Sequence, residues 1–151
     1  MITVRPIETR DRDGWLPLWL GYNAFYGREG DTALDPRVTD STWGFFFDDS
    51  EPVWALVAED ESGRLLGLVH FLYHRVTNSL QQICYLEDLF TAPEARGRGV
   101  GKALIEAVYD RASADQIARV YWHTQETNAT ARRLYDQVAT NHGFIVYRHD
   151  A

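Results

Sequence analysis

Cysteine occurs once among the 151 residues, at Cys84, and methionine once, at Met1. A single thiol excludes an intramolecular disulfide and any cysteine-rich zinc site. Lysine also occurs once, at Lys102, so arginine supplies nearly all the positive charge. Basic residues are outnumbered, 15 against 22 acidic ones, for a net charge of −7. That sign disfavours a general nucleic-acid binder, which would be basic, and it draws cationic partners such as amines. No apolar run is long enough to span a bilayer. Met1 to Arg5 has no basic flank leading into a long apolar stretch, so no secretory signal is visible. Linkers and repeats are also missing. The expectation is one domain over residues 1–151 in a reducing, cytoplasmic setting.

What is present suffices for a core: 45% apolar and 13% aromatic residues. A chain of this length buries roughly two-thirds of its unfolded surface without staples. Ile2 to Arg5 alternates like a short strand. Asp11 to Tyr26 carries Trp15, Leu18, Trp19, Tyr22, Phe25 and Tyr26 at helical spacing, with Pro17 as a late start or kink. Thr39 to Phe47 reads as a second helix. Val53–Ala58, Leu65–Arg75 and Gln82–Thr91 read as an antiparallel meander. Gly101–Ser113 is a helix, Ala118–His123 a strand, Asn128–Ala139 a helix and Phe144–Arg148 a final strand. A strand-helix-strand unit after a meander predicts a mixed α/β class.

The sharpest signal is Pro93-Glu94-Ala95-Arg96-Gly97-Arg98-Gly99-Val100-Gly101-Lys102, between a strand and a helix. Glycine at every second position lets the backbone turn tightly and approach a ligand. The free N–H groups of the helix start, with the dipole behind them, suit a diphosphate. A P-loop fails, because Ala103 stands where the magnesium-binding hydroxyl belongs. A dinucleotide fingerprint fails, because Lys102 takes the place of its third glycine. What remains is Arg-x-x-Gly-x-Gly: Arg96, Gly99 and Gly101.

This loop, with Tyr85-Leu86-Glu87-Asp88-Leu89-Phe90 before it and Asn128-x-x-Ala131-x-x-x-Tyr135 after it, resembles the GNAT superfamily of N-acetyltransferases. The nearest pattern is that of the diamine, polyamine and yeast histone/polyamine-type branch, and the likeness runs from about Val53 to Tyr147. It implies a mostly antiparallel sheet splayed between two strands and flanked by helices. It implies acetyl-CoA as co-substrate and no metal. The cofactor would lie on Leu89, Phe90 and Thr91 and on Arg96, Gly97, Arg98, Gly99, Val100, Gly101 and Lys102. Asn128 would turn to the pantetheine arm or cap its helix; Arg132 would reach phosphates or stay solvated. Glu87 would help deprotonate the amine, and Tyr135 would protonate the departing thiolate. The chemistry needs such a base: an alkylammonium of pKa about 10.4 leaves only about one molecule in a thousand as free nucleophile near neutral pH. Strand alternation puts Glu87 and Asp88 on opposite faces, and the resemblance selects Glu87. Cys84 reads as packing. His70 and His74, about 13 Å apart on a strand, make no metal pair.

The resemblance further places the first two helices at the acceptor. Trp19, Tyr22, Tyr26 and Glu29 would line a pocket for a cation, a small primary amine such as a polyamine. Protein lysine, amino-acid and aminoglycoside acceptors, and a non-catalytic acyl-CoA sensor, are the alternatives. The family usually has two strands after its last helix, and there is room here for one. A homodimer would cover that sheet edge.

Overall fold

Five strands form one sheet in the computed structural model, which describes residues 1–151. In spatial order they are β1 (Thr3–Pro6), β2 (Val53–Glu59), β3 (Leu65–His74), β4 (Ile83–Thr91) and β5 (Val120–Tyr121). The first four pair antiparallel, and β5 joins parallel to β4. Helices α1 (Arg12–Phe25) and α2 (Pro36–Phe45) follow β1, α3 (Val100–Ala114) crosses from β4 to β5, and α4 (Ala129–Val138) comes last. Consecutive residues of β3 sort the two layers, as a pleat requires. His70 meets Trp15 of α1, whereas Phe71 stacks on Trp54, over which Arg111 of α3 lies.

Helix α3 forms because Val100, Leu104, Ile105, Val108 and Ala112 make one buried stripe, the pattern of a helix laid on a sheet. Under α1, Trp15 and Trp19 stack at 5.7 Å and Trp15 meets Trp43 of α2 at 5.0 Å. A polar tie fixes where α1 starts. The Arg5 guanidinium donates to both Asp11 oxygens (2.7 and 2.9 Å) and to Glu59 (3.0 Å), joining β1, β2 and the turn into α1. That guanidinium holds the Asp11 carboxyl below the usual range.

Three expectations change. Helix α1 runs through Pro17 from Arg12 without a break. Helix α2 opens at Pro36, three residues before the predicted start, because Asp35 accepts from the Arg37 N–H at 2.8 Å and proline suits the first helical position. The strand expected over Phe144–Arg148 does not form; no helix or strand follows Val138. A short apolar run becomes a strand only where an edge accepts it, and β5 is paired at two residues only. Phe144, Ile145, Val146 and Tyr147 are all exposed.

Candidate active site

The glycine-rich segment lies where β4 hands over to α3. After the turn Pro93–Ala95, Gly97 and Gly99 take φ of 77° and 81°, and Gly99 caps α3. That left-handed backbone is open to glycine and strained for other residues. No amide from Gly97 to Lys102 has an acceptor within the chain; the Ala103 N–H is the first to bond, to the Gly99 carbonyl at 3.0 Å. Six consecutive donors therefore fan out at the positive end of a fifteen-residue helix, an arrangement matched to a diphosphate. At Gly101 an added Cβ would sit 3.3 Å from Leu134 of α4 and 3.9 Å from the Thr91 hydroxyl, so bare backbone faces the junction of α3, α4 and β4. Arg96 lies over the Phe90 ring (5.6 Å) and reaches the Thr91 carbonyl. Arg98 is exposed, and Lys102 stands 3.9 Å from Glu106.

Beside this loop the sheet splays. Cys84 pairs with Val120 and Tyr85 with Tyr121, and beyond Tyr85 strand β4 has no neighbour on that side. Leu89, Phe90 and Thr91 pair with Val69, Leu68 and Gly67 of β3 only. An open strand edge can accept an extended, amide-bearing arm as an added strand.

A β-bulge rearranges the acidic pair. Tyr85 faces Leu72 and Leu86 faces Phe71, but the next partner of β3, His70, faces Asp88. Glu87 is the extra residue. Uninterrupted alternation would turn Asp88 away from Tyr85; the inserted residue returns it to the α1 side. Asp88 Oδ2 then lies 2.9 Å from His70 Nδ1, and Phe90, two residues on, lies against Gly21 of α1. Burial pushes the Glu87 carboxyl above its ordinary range, and neighbouring Asp88 adds to the effect. Strict alternation therefore does not hold across this pair, and the two carboxylates are near enough for their charges to interact.

Tyrosines close the site. Tyr22 of α1 and Tyr26, just past its end, lie 5.1 Å apart. The Tyr22 hydroxyl is raised far above 10 by burial and then by Asp88, and Tyr26 is raised by burial and by the same carboxylate. Tyr135 of α4 packs edge-on to Trp122 at 5.3 Å. Burial and the nearby Tyr26 raise its phenol as well. The Arg28 guanidinium spans the Tyr22 and Tyr26 rings at 5.9 and 5.4 Å, with its Nε–H on Asn23 Oδ1 at 2.7 Å. Arg28 has no salt-bridge partner.

The remaining candidates have partners of their own. Trp19 is in the core, with its indole N–H on Thr39 (3.2 Å), and Glu29 is at the surface, opening the turn Gly30–Thr32. Asn128 caps α4 by accepting from the Ala131 N–H, and Arg132 donates to the Glu126 carbonyl at 2.8 Å. Cys84 is fully buried, and burial pushes its thiol up to about 12, so it is a packing residue. Asp88, His70 and Arg28 joined the site unpredicted. His70 and Asp88 stood out only as polar residues in an otherwise apolar β3–β4 pair, and Arg28, in the loop after α1, gave no such signal.

A splayed mixed sheet with a glycine-capped helix start at the splay and facing acid and phenol side chains defines an acyl-CoA-type acetyltransferase architecture. The acetyltransferase (GNAT) family model matches residues 15–139, and the chain belongs to that family and is an N-acetyltransferase. It is 34% identical over 148 residues to the D-amino-acid N-acetyltransferase HPA3 of Saccharomyces cerevisiae, covering 97% of this chain and 89% of that one. The Bacillus subtilis N-acetyltransferase YhfO is 29% identical, over 97% of this chain and 95% of its own. Among solved structures, a probable acetyltransferase superposes with a TM-score of 0.84 at 22% identity, covering 99% of this chain and 97% of that one.

Proposed function

We propose that this chain transfers the acetyl group of acetyl-CoA to a small primary amine by direct attack within a ternary complex. The run of unbonded amides from Gly97 to Lys102, beside the open edge of β4, carries this reading. Those amides, with Arg96 and Arg98, would hold the diphosphate, and the Leu89–Thr91 edge would take the pantetheine arm. The acceptor ammonium loses a proton to Glu87. Its nitrogen then bonds to the thioester carbon, whose carbonyl is polarised by backbone amides near Phe90. The carbon–sulfur bond breaks as Tyr135 gives its proton to the thiolate; the second proton of the nitrogen passes through water to restore the phenol, and Glu87 returns its proton to solvent. The products are an amide and free CoA. A thiol-release assay with acetyl-CoA and a panel of amines tests the whole scheme. Tight acetyl-CoA binding with no turnover on any amine would instead mark a sensor.

Glu87→Gln isolates the base. Its raised carboxyl is a stronger base than an ordinary one, and at neutral pH it does what the solvent does poorly. The variant is expected to lose about 100-fold in rate at neutral pH and to regain much of it in alkali, where the amine (pKa about 10.4) deprotonates unaided. A pH response parallel to that of the parent protein would move the base role to another group.

The sequence pattern favours a polyamine; a specific observation favours an amino acid. Arg28 is a half-buried cation without an acidic partner, over the rings of the two tyrosines whose hydroxyls feel the Asp88 carboxylate. A dication meets repulsion there, whereas an acceptor with a carboxylate beside its amine finds a partner for each charge. The relation to a yeast enzyme named for D-amino acids agrees with this reading. An amino acid is expected to outperform its decarboxylated amine, and Arg28→Gln to raise KM about 10-fold for the amino acid alone. Equal effects on both acceptors would restore the polyamine reading.

The exposed Phe144-Ile145-Val146-Tyr147 stretch and the uncovered side of β5 support a homodimer in which copies cover these surfaces. Light scattering at micromolar concentration is expected to give twice the chain mass; a monomer mass would end this proposal.

A further inference from the structure

We propose that His70 is a positioning residue: locked by Trp15 in one tautomer, it presents the Asp88 carboxylate to the ammonium group of the acceptor. The proposal rests on the N-acetyltransferase reading and assigns a second role to the same site.

The tautomer follows from donor chemistry. An indole N–H can only donate. Trp15 Nε1 lies 3.1 Å from His70 Nε2, so that nitrogen accepts and carries no proton. The single ring proton is then on Nδ1, and Nδ1–H donates to Asp88 Oδ2 at 2.9 Å. Protonating Nε2 would set N–H against N–H. Trp15 and His70 are 0% and 2% exposed, and the imidazole is walled by Phe46 (4.7 Å) and Trp19 (5.4 Å). The ring therefore cannot turn without displacing the aromatic core. This is a rigid second layer under a carboxylate, the kind of support that holds a binding group in place.

The bulge gives that support its purpose. It sets Asp88 on the α1 side, among Tyr22, Tyr26 and Arg28, with Tyr85 and Glu87 from its own strand and His70 from β3. The imidazole holds one Asp88 oxygen at 2.9 Å, the Tyr22 hydroxyl also interacts with the carboxylate, and the lone pairs that remain take the ammonium. Glu87, the looped-out residue, is left to take the proton. The two adjacent acids thus divide docking from deprotonation.

The experiment combines nitrogen-15 spectra of labelled histidine in the free protein with steady-state kinetics of His70→Leu, His70→Asn and Asp88→Asn. Expected are a His70 signal with Nδ1 protonated at neutral pH and an acceptor KM raised about 30-fold in His70→Leu, with kcat and the acetyl-CoA KM held within about threefold. His70→Asn, which keeps an N–H near the Nδ1 position, is expected to recover most of the loss. Asp88→Asn should match His70→Leu, and the double variant should add nothing further. An Nε2-protonated or doubly protonated His70 in the parent protein overturns the proposal, as does an unchanged acceptor KM in Asp88→Asn. The spectra and Asp88→Asn decide the question even if His70→Leu does not fold. Should the parent protein release no thiol with any amine, the N-acetyltransferase reading falls and the docking role with it. The tautomer measurement separates that failure from a wrong account of His70.

Discussion

Tyr135→Phe is expected to lower kcat by about 100-fold while acetyl-CoA affinity stays within about twofold. The substitution removes one oxygen and keeps the ring that packs against Trp122 at 5.3 Å, so the fold and the α4 face survive. Burial raises the phenol above its ordinary value, so Tyr135 remains protonated across the working pH range and always has a proton to give. A thiol of pKa about 8.5 accepts it slightly uphill from a phenol, and the gain comes from a hydrogen bond to charge as it develops on sulfur. The measurement is kcat by thiol release beside Kd by calorimetry. Unchanged turnover would remove Tyr135 as the acid; a parallel loss of affinity would recast it as a binding residue.

Gly67→Ala should be the most damaging single methyl in the chain. A Cβ at Gly67 would lie 2.8 Å from the Phe90 carbonyl oxygen, 2.8 Å from a Val100 methyl and 3.1 Å from one of Leu104. The first contact is backbone in the β3–β4 ladder, where Gly67 pairs with Thr91, so it cannot swing aside. Overpacking of this kind costs about 3 kcal/mol, or a Tm lowered by roughly 10 °C at this chain length. The strain falls on the junction of β4 and α3, so acetyl-CoA affinity is expected to drop with stability. Gly44→Ala in α2 is the control: nothing lies within 4 Å of its added methyl, and Tm should hold or rise. Equal melting of the two variants would show that α3 can shift off the sheet freely.

Much of the molecule was legible before any coordinates. The α3 stripe, the β2–β3–β4 meander and the glycine loop each follow from local periodicity or turn chemistry, and each stands where the sequence put it. Errors collected where the outcome depends on a neighbour. Phe144–Arg148 is an apolar run of strand length, but β5 is only two residues long and the segment does not pair. Trp19 and Tyr22 share one helical stripe, yet the first ends on Thr39 in the core and the second beside Asp88. Nothing in their spacing separates them.

The amino-acid order alone dictated that three glycines at every second position, opening a helix after a strand, would leave donors free for a diphosphate, because that consequence is local. Which face Asp88 takes was decided by pairing. One extra residue between Leu86 and Asp88, visible only against β3, reverses the face of everything after it, and a two-residue strand period has no way to announce that slip. Likewise, Trp15 and Asp88, 55 and 18 positions from His70, meet through it only because α1 crosses the sheet there and β4 pairs with β3.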